Sequence, residues 1–170
     1  MTDTTAIAPF PAPMVEPGTV VVSESGLGPF NQQISDGPHS FTADEPVAVG
    51  GGDAGPGPYE LLLMALGACT SMTVRMYAAR HAMPLERVIV RLRHFRAYAT
   101  DCADCATKPV MLDNIDREIE LLGALDEAQK AKLMEIADKC PVHRTLSSPI
   151  KITTRRRDAQ PAVAPLSGNV

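Results

Sequence analysis

The chain has 170 residues, with 16 Lys and Arg against 20 Asp and Glu, a formal net charge of −4 and a pI near 5.5. This length suits one domain with its own core, and the acidic balance argues against electrostatic binding to nucleic acid or to a membrane surface. Aromatic residues make up 4% of the chain and Trp is absent, which disfavours a stacking platform for bases.

The two ends of the chain differ in composition from the middle. Residues 1–17 are rich in Pro, Ala and Thr without periodicity, which predicts a flexible N-terminal arm. We expect a single domain over residues 18–157 and a flexible tail over residues 158–170. The first residues lack the positive charge of a signal peptide, and the longest apolar run, residues 61–68, is too short to span a bilayer. We therefore expect a cytoplasmic protein with no membrane partner.

Short β-branched segments separated by turn residues begin the domain. Residues 19–22, 32–35 and 39–43 have strand composition, and the turn pair at Asp36 lies between the second and the third. This order predicts an antiparallel meander. Residues 45–58 are dominated by Gly and Pro and predict a loop.

A long apolar helix is predicted over residues 59–81. Pro58 is a favourable first helical residue, and Pro84 prevents continuation of the helix. The first half is apolar on all sides, which indicates a helix surrounded by protein. One small sheet offers too little cover for such a helix, so we expect a second subunit and an obligate homodimer.

The C-terminal half is predicted to contain two strands and two helices. Residues 88–98 alternate as a half-buried strand, and residues 112–122 carry apolar residues at helical spacing before a possible C-cap at Gly123. Asp126 and Gln129 resemble a capping box for the next helix. A last strand is predicted over residues 150–154. Segregated strands and helices indicate an α+β fold.

Two cysteines lie in unlike settings. Cys69 is inside the apolar helix, where a thiol commonly packs as a small hydrophobe, whereas Cys140 precedes Pro141 and is predicted at a helix N-terminus that favours thiolate. If the fold joins them, the chain holds a dithiol whose two sulfurs differ in acidity, which suits peroxide reduction. An inert structural role for Cys69 is the alternative.

Two sequence blocks carry a family resemblance. Residues 58–70 read Pro-Tyr-Glu-Leu-Leu-Leu-Met-Ala-Leu-Gly-Ala-Cys-Thr, and residues 140–143 read Cys-Pro-Val-His. The chain therefore resembles the osmotically inducible protein C (OsmC) and organic hydroperoxide resistance family. The resemblance implies antiparallel sheets wrapped around a long buried central helix in an intertwined homodimer. It also implies that Cys69 is the peroxidatic thiol, Cys140 the resolving thiol and Glu60 an active-site carboxylate.

The family's activity then supplies the expected partners. The resemblance implies a thiol-dependent peroxidase that reduces organic hydroperoxides, needs no cofactor and is restored by an external dithiol, which is a dihydrolipoyl group in the hydroperoxide branch. The alternative is a noncatalytic protein of this fold that binds a small apolar or electrophilic ligand, or a metal. For Glu60, the alternative is a carboxylate favoured by the helix dipole. Nine positions separate it from Cys69, about 13.5 Å along one continuous helix, so contact requires a helix break or a second chain.

One element of the family pattern is missing. Its hydroperoxide-reducing members carry an arginine on the N-terminal hairpin that pairs with the reactive thiolate, whereas this chain has no Lys or Arg before Arg75. A cationic partner for Cys69 must come from elsewhere in the chain. The candidates are Arg75, His143 and Arg144, together with Arg93 and Arg96 on the following strand.

A second pair of cysteines lies between the strand over residues 88–98 and the segment over residues 112–122. Cys102 and Cys105 form a Cys-x-x-Cys sequence, which fits half of a zinc site, a redox pair or two accessory thiols. A zinc site requires two further ligands, for which His94, His143 or a second subunit are the candidates.

Overall fold

A three-stranded antiparallel sheet forms the first part of the molecule. The computed structural model describes residue 10, residues 12–98 and residues 111–158. Strands β1 (Val21–Glu24), β2 (Gln32–Ser35) and β3 (Ser40–Ala43) pair in chain order. The predicted meander is confirmed, although the first strand begins two residues later than predicted.

The long helix α1 (Pro58–Arg80) follows a Gly-rich loop that contains one short 3₁₀ turn, Val47–Val49. Its buried residues are four positions apart and form a single stripe: Leu66, Thr70, Val74 and Ala78. This stripe packs on the rest of the chain because residues at i and i+4 share one helix face. The predicted helix is therefore confirmed to within one residue at each end.

The other faces of α1 are exposed in a single chain. Only 22% of its most apolar stretch is buried, and Met64, Met72 and Met76 are each more than half exposed. By length and composition this helix, alone among the described ones, could cross a membrane. Core helices of globular proteins have the same composition. Helix α1 was predicted to be surrounded by protein, but its own chain covers only one of its faces.

A long two-stranded sheet supports α1. Strands β4 (Leu85–Tyr98) and β5 (Met111–Gly123) pair antiparallel, with Val90 opposite Ile119. The helix approaches β4 closely at Gly67, where an added Cβ would lie 2.9 Å from the Leu92 Cδ1 atom. Helix α1 packs on β4 and on both C-terminal helices, whereas the strands of the first sheet pack chiefly on one another.

The prediction of a helix over residues 112–122 is wrong, because this segment is strand β5. Its apolar residues do fall at helical spacing, but the side chains that turn inward follow strand spacing: Ile115, Arg117, Ile119 and Leu121. A charged residue at one inward position concealed the alternation. Pairing with β4 along the whole segment then decides the conformation, and Gly123, predicted as a helix C-cap, ends the strand.

Two helices complete the described chain. Helix α2 (Glu127–Ala137) begins at the predicted capping box, in which Asp126 Oδ1 accepts the Gln129 N–H at 2.7 Å and Gln129 Oε1 accepts the Asp126 N–H at 3.1 Å. Its core residues are those predicted: Leu133, Ile136 and Ala137. Leu133 and Ala137 pack with Val74 and Ala78 of α1 in the main core. Helix α3 (Pro141–Leu146) has Cys140 as its N-cap residue.

The strand predicted over residues 150–154 is wrong. Residues 149–158 have no regular secondary structure, and Ile150 and Ile152 are 56% and 84% exposed. Their β-branched side chains favour extended backbone, but a strand also needs a partner strand. Within the part of the chain that the structure describes, no strand pairs with this segment.

Candidate active site

Cys69 and Cys140 are neighbours in the folded chain. Helix α1 carries Cys69 three turns after its start, and the junction between α2 and α3 carries Cys140 against the same helix. Their side chains interact through a hydrogen bond, and neither is in a disulfide. Cys140 is completely buried, whereas Cys69 is partly exposed. The fold thus joins the two thiols that the sequence singled out.

Cys140 is the more acidic of the two thiols. Burial opposes its ionisation, but hydrogen bonds from the Cys69 thiol, the His143 N–H, the Thr70 hydroxyl and the Val142 N–H outweigh burial and lower its pKa. Two of these donors are backbone N–H groups in the first turn of α3, which have no partner within the helix. The helix N-terminus predicted for Cys140 is therefore present.

Cys69 is the less acidic thiol. Burial is the main cause that raises its pKa, and the hydrogen bond and the negative charge of Cys140 raise it further. The Val142 N–H and the Thr73 hydroxyl lower the Cys69 pKa by less than this. Because the two groups interact, the first proton that leaves belongs to the pair and not to either sulfur alone.

A mostly buried arginine contacts two residues near the cysteines, Thr70 and Asp138. The Arg117 side chain, 12% exposed, projects from the inward face of β5. Its Nη1 donates to Thr70 Oγ1 at 3.1 Å and to the Ala137 carbonyl at 3.3 Å, and its Nη2 binds Asp138 Oδ1 at 2.6 Å. Arg117 was not among the predicted site residues, because its segment was predicted as a helix. The signal that was available is a lone cation between Ile115 and Ile119 at strand spacing.

A cavity of about 440 Å³ adjoins this arginine. The cavity combines apolar side chains with polar groups from β5 and α3, and its lining consists of Leu66, Asp113, Ile115, Arg117, His143, Leu146 and Ser147. Asp113 Oδ1 also lies 3.0 Å from His94 Nε2, whose side chain is mostly buried. This space is large enough for a small organic molecule.

Glu60 is remote from the dithiol within one chain. It lies in the first turn of α1, and the helix runs without a break from there to Cys69, a rise of about 13.5 Å. Glu60 instead lines a groove of about 590 Å³ between α1 and β4, together with Met64 and Leu92 among others. A continuous helix removes the helix-break route, so only a second chain could bring Glu60 to the thiols.

The cations predicted near Cys69 have other partners or settings. Arg75 donates to the Leu85 and Glu86 carbonyls at 2.5 and 2.8 Å, which ties α1 to the start of β4. Arg144 lines an open surface groove beside Pro141. The remaining two arginines form exposed ion pairs: Arg93 with Asp116 at 2.9 Å, and Arg96 with Asp113 at 3.4 Å.

His143 contributes to the site in two ways. Its backbone N–H lowers the pKa of Cys140, and its side chain lines the cavity that adjoins Arg117.

Cys102 and Cys105, predicted as a candidate zinc pair, lie outside the described residues. Within residues 12–98 and 111–158, no group of three or more His, Cys, Asp or Glu side chains could hold a metal ion.

These features define an α+β protein with two antiparallel sheets, a long apolar helix and two neighbouring thiols. The family model of the OsmC-like proteins matches residues 50–155, more than half of the chain. The chain therefore belongs to the OsmC-like protein family. No curated protein matches it significantly.

Solved structures share this fold at low sequence identity. The OsmC-like protein of Mycoplasma pneumoniae is 21% identical, with a TM-score of 0.55 over 76% of this chain and 84% of that one. An organic hydroperoxide resistance protein of Legionella pneumophila is 18% identical, with a TM-score of 0.50 over 75% and 88%. One from Elizabethkingia anophelis is 14% identical, with a TM-score of 0.52 over 74% and 84%. At these identities the similarity shows the fold alone.

Proposed function

We propose that the protein is a thiol-dependent peroxidase that reduces organic hydroperoxides, with Cys69 as the peroxidatic thiol and Cys140 as the resolving thiol. The observation that carries this proposal is the direct interaction of two thiols from separate helices, one partly exposed and one buried. The exposed fraction of Cys69 gives a peroxide access, and the fold shared with hydroperoxide resistance proteins adds support.

The proposed reaction divides into three balanced steps. The Cys69 thiolate attacks the distal oxygen of the hydroperoxide, the O–O bond breaks, and one proton converts the leaving alkoxide to an alcohol. The resulting Cys69 sulfenic acid reacts with the Cys140 thiolate to form a disulfide and, with a second proton, water. An external dithiol, such as a dihydrolipoyl group, then supplies two electrons and two protons and becomes a disulfide.

The unequal acidity of the two thiols determines which of them is ionised before the attack on the peroxide and before disulfide formation. In the singly ionised dithiol the negative charge resides mainly on Cys140, and the Cys69 thiol donates a hydrogen bond to it. Transfer of that proton to Cys140 generates the attacking Cys69 thiolate. After oxidation of Cys69, the low pKa of Cys140 favours the thiolate that closes the disulfide.

The proposed assembly is a cytoplasmic homodimer. The exposed methionine-rich face of α1 is apolar, and the first sheet makes few contacts with the helices of its own chain. A second subunit would cover both and would provide a route for Glu60 to reach the partner's thiols. We propose no metal or organic cofactor for the reaction.

A thiol count tests this function. Fully reduced protein in a Cys102→Ser/Cys105→Ser background retains only Cys69 and Cys140 of the four cysteines. Addition of cumene hydroperoxide is expected to consume both thiols and to give a Cys69–Cys140 cross-linked peptide in non-reducing mass spectrometry. Cys69→Ser should abolish peroxide consumption. Cys140→Ser should still consume one equivalent and stop at the sulfenic acid, which dimedone traps.

The second candidate function is noncatalytic ligand binding. It is favoured by two observations: the pKa of Cys69 is raised, and the first sheet contains no arginine or lysine. If both thiols persist at millimolar peroxide and the parent protein forms no disulfide, the peroxidase proposal is wrong. Binding of a small apolar or electrophilic compound in the groove beside Glu60 then becomes the function to test.

A further inference from the structure

We propose that Arg117 is a positioning residue for the dithiol: through Thr70 it directs a hydroxyl proton to the Cys140 sulfur, and through Ala137 and Asp138 it fixes the segment that carries Cys140 against α1. This inference rests on the proposed function for its catalytic meaning. Groups other than an N-terminal arginine must hold the thiolate, because the chain has no Lys or Arg before Arg75.

The direction of the Thr70 hydrogen bonds follows from donor chemistry. A guanidinium carries only donors, so Thr70 Oγ1 must accept the hydrogen bond from Arg117 Nη1 at 3.1 Å. The threonine hydroxyl has a single proton, and because Thr70 lowers the pKa of Cys140, we assign that proton to the sulfur. A threonine inside a helix more often donates back to a carbonyl of the preceding turn. Arg117 therefore orients a fully buried hydroxyl toward the sulfur.

The other contacts of Arg117 hold the cysteine segment itself. Ala137 is the last residue of α2, and its carbonyl accepts from Nη1 at 3.3 Å. The carboxylate of Asp138, two positions before Cys140, binds Nη2 at 2.6 Å. One side chain on β5 thus joins α1, which carries Cys69, to the end of α2, which leads to Cys140.

The charge environment of Cys140 is mixed. The ionisable groups placed around it come from three elements and one junction: Cys69 on α1, Arg117 on β5, His143 on α3, and Asp138 between α2 and α3. Asp138 is 66% exposed and paired, whereas the guanidinium is mostly buried. The mostly buried positive charge of Arg117 is therefore linked to the dithiol through Thr70.

The test titrates thiolate and is independent of peroxidase turnover. In the Cys102→Ser/Cys105→Ser background, ultraviolet thiolate absorbance reports only Cys69 and Cys140. Thr70→Val keeps the shape of the side chain and removes the hydroxyl, so the first ionisation should move to higher pH by about one unit, a tenfold loss of thiolate at a fixed pH below it. Thr70→Ser keeps the hydroxyl and should titrate close to the parent protein.

Two substitutions of Arg117 test its role in the same thiolate titration. Arg117→Met keeps an apolar stem and removes the donors, and we expect the same upward shift as for Thr70→Val together with slower disulfide formation. Arg117→Lys should give an intermediate result. Arg91→Met is the matched control, because Arg91 lies on the neighbouring strand in an exposed pair with Glu120 at 2.8 Å. It should leave the titration unchanged.

The outcomes separate this inference from the proposed function. Equal titrations for Thr70→Val and Thr70→Ser, or an unchanged first ionisation in folded Arg117→Met, would overturn the positioning role. An equal shift in Arg91→Met would indicate a general charge effect and would also overturn it. If Arg117→Met does not fold, the two Thr70 variants decide. A parent protein that shows these shifts but ignores cumene hydroperoxide would refute the peroxidase and leave the positioning role intact.

Discussion

The thiol of Cys69 donates a hydrogen bond to the sulfur of Cys140, and the pair shifts the two pKa values in opposite directions. Cys69→Ala removes this donor, so the pKa of Cys140 should rise. Cys140→Ala removes the neighbouring negative charge, so the pKa of Cys69 should fall. Ultraviolet thiolate absorbance across a pH series, in the Cys102→Ser/Cys105→Ser background where each variant retains one of the two thiols, measures both shifts.

Cys69→Ser provides the control for Cys69→Ala. Cys69→Ser retains a hydrogen-bond donor and should raise the pKa of Cys140 by less than Cys69→Ala does. At a fixed pH below the ionisation, a change of one pKa unit alters the thiolate fraction by about tenfold. Independent titration of the two thiols, with neither variant affecting the other cysteine, would contradict the interaction.

Local sequence signals were sufficient for the two longer helices. Helix α1 begins at Pro58 and α2 begins after the capping residue Asp126, because a missing N–H and a capping side chain act within a few positions of the chain. The three core residues of α2 also followed from their helical spacing. The α+β class follows from the order of these elements.

Elements that depend on remote partners were not predictable in the same way. Strand β5 has Arg117 on its inward face, and that charge is tolerated only because Thr70 and Asp138, distant in sequence, accept its hydrogen bonds. Without those partners in view, helical spacing was the better local pattern. The same reason explains why the sequence indicated two important thiols but not the arginine that contacts Thr70 and Asp138.

The exposed face of α1 predicts the oligomeric state. Met72 is 65% exposed in the single chain and lies on the apolar face that we assign to the second subunit. Met72→Glu would place a charge in that interface, which is costly without a partner. We expect the variant to elute as a monomer in size-exclusion chromatography with light scattering, whereas the parent protein elutes as a dimer.

Met134 offers a matched control for this experiment. It lies on α2 and is 43% exposed. Met134→Glu introduces the same charge away from the α1 face and should leave the dimer intact. A monomeric parent protein, or a Met72→Glu variant with the mass of the parent, would refute the proposed assembly.

The capping box of α2 predicts a measurable loss of stability. Asp126→Ala removes the acceptor of the Gln129 N–H, and we expect the free energy of unfolding to fall by about 1 kcal/mol. Asp126→Ser retains an acceptor at the cap and should remain within a few tenths of a kcal/mol of the parent. Urea denaturation followed by circular dichroism measures the difference, and equal losses in both variants would argue against the cap.

Asp44 predicts how stability depends on pH. Its side chain is buried, and its carboxylate accepts backbone N–H groups of Glu45 at 2.9 Å, Gly52 at 3.0 Å and Ala54 at 3.3 Å. Burial alone would raise the pKa of Asp44, but these hydrogen bonds outweigh burial and lower it below 3.8. The unfolded chain therefore binds the proton more readily than the folded one, and acid favours unfolding.

The stabilisation from Asp44 is accordingly complete above pH 3.8 and is lost as the pH falls through the lower folded pKa. Asp44→Asn removes the charge and keeps the side-chain shape, so the variant should be less stable than the parent at neutral pH. The difference should shrink in acid. Urea denaturation across a pH series measures it, with Glu24→Gln as the control because Glu24 is exposed on β1. A difference that stays constant with pH would show that the carboxylate charge does not stabilise this loop.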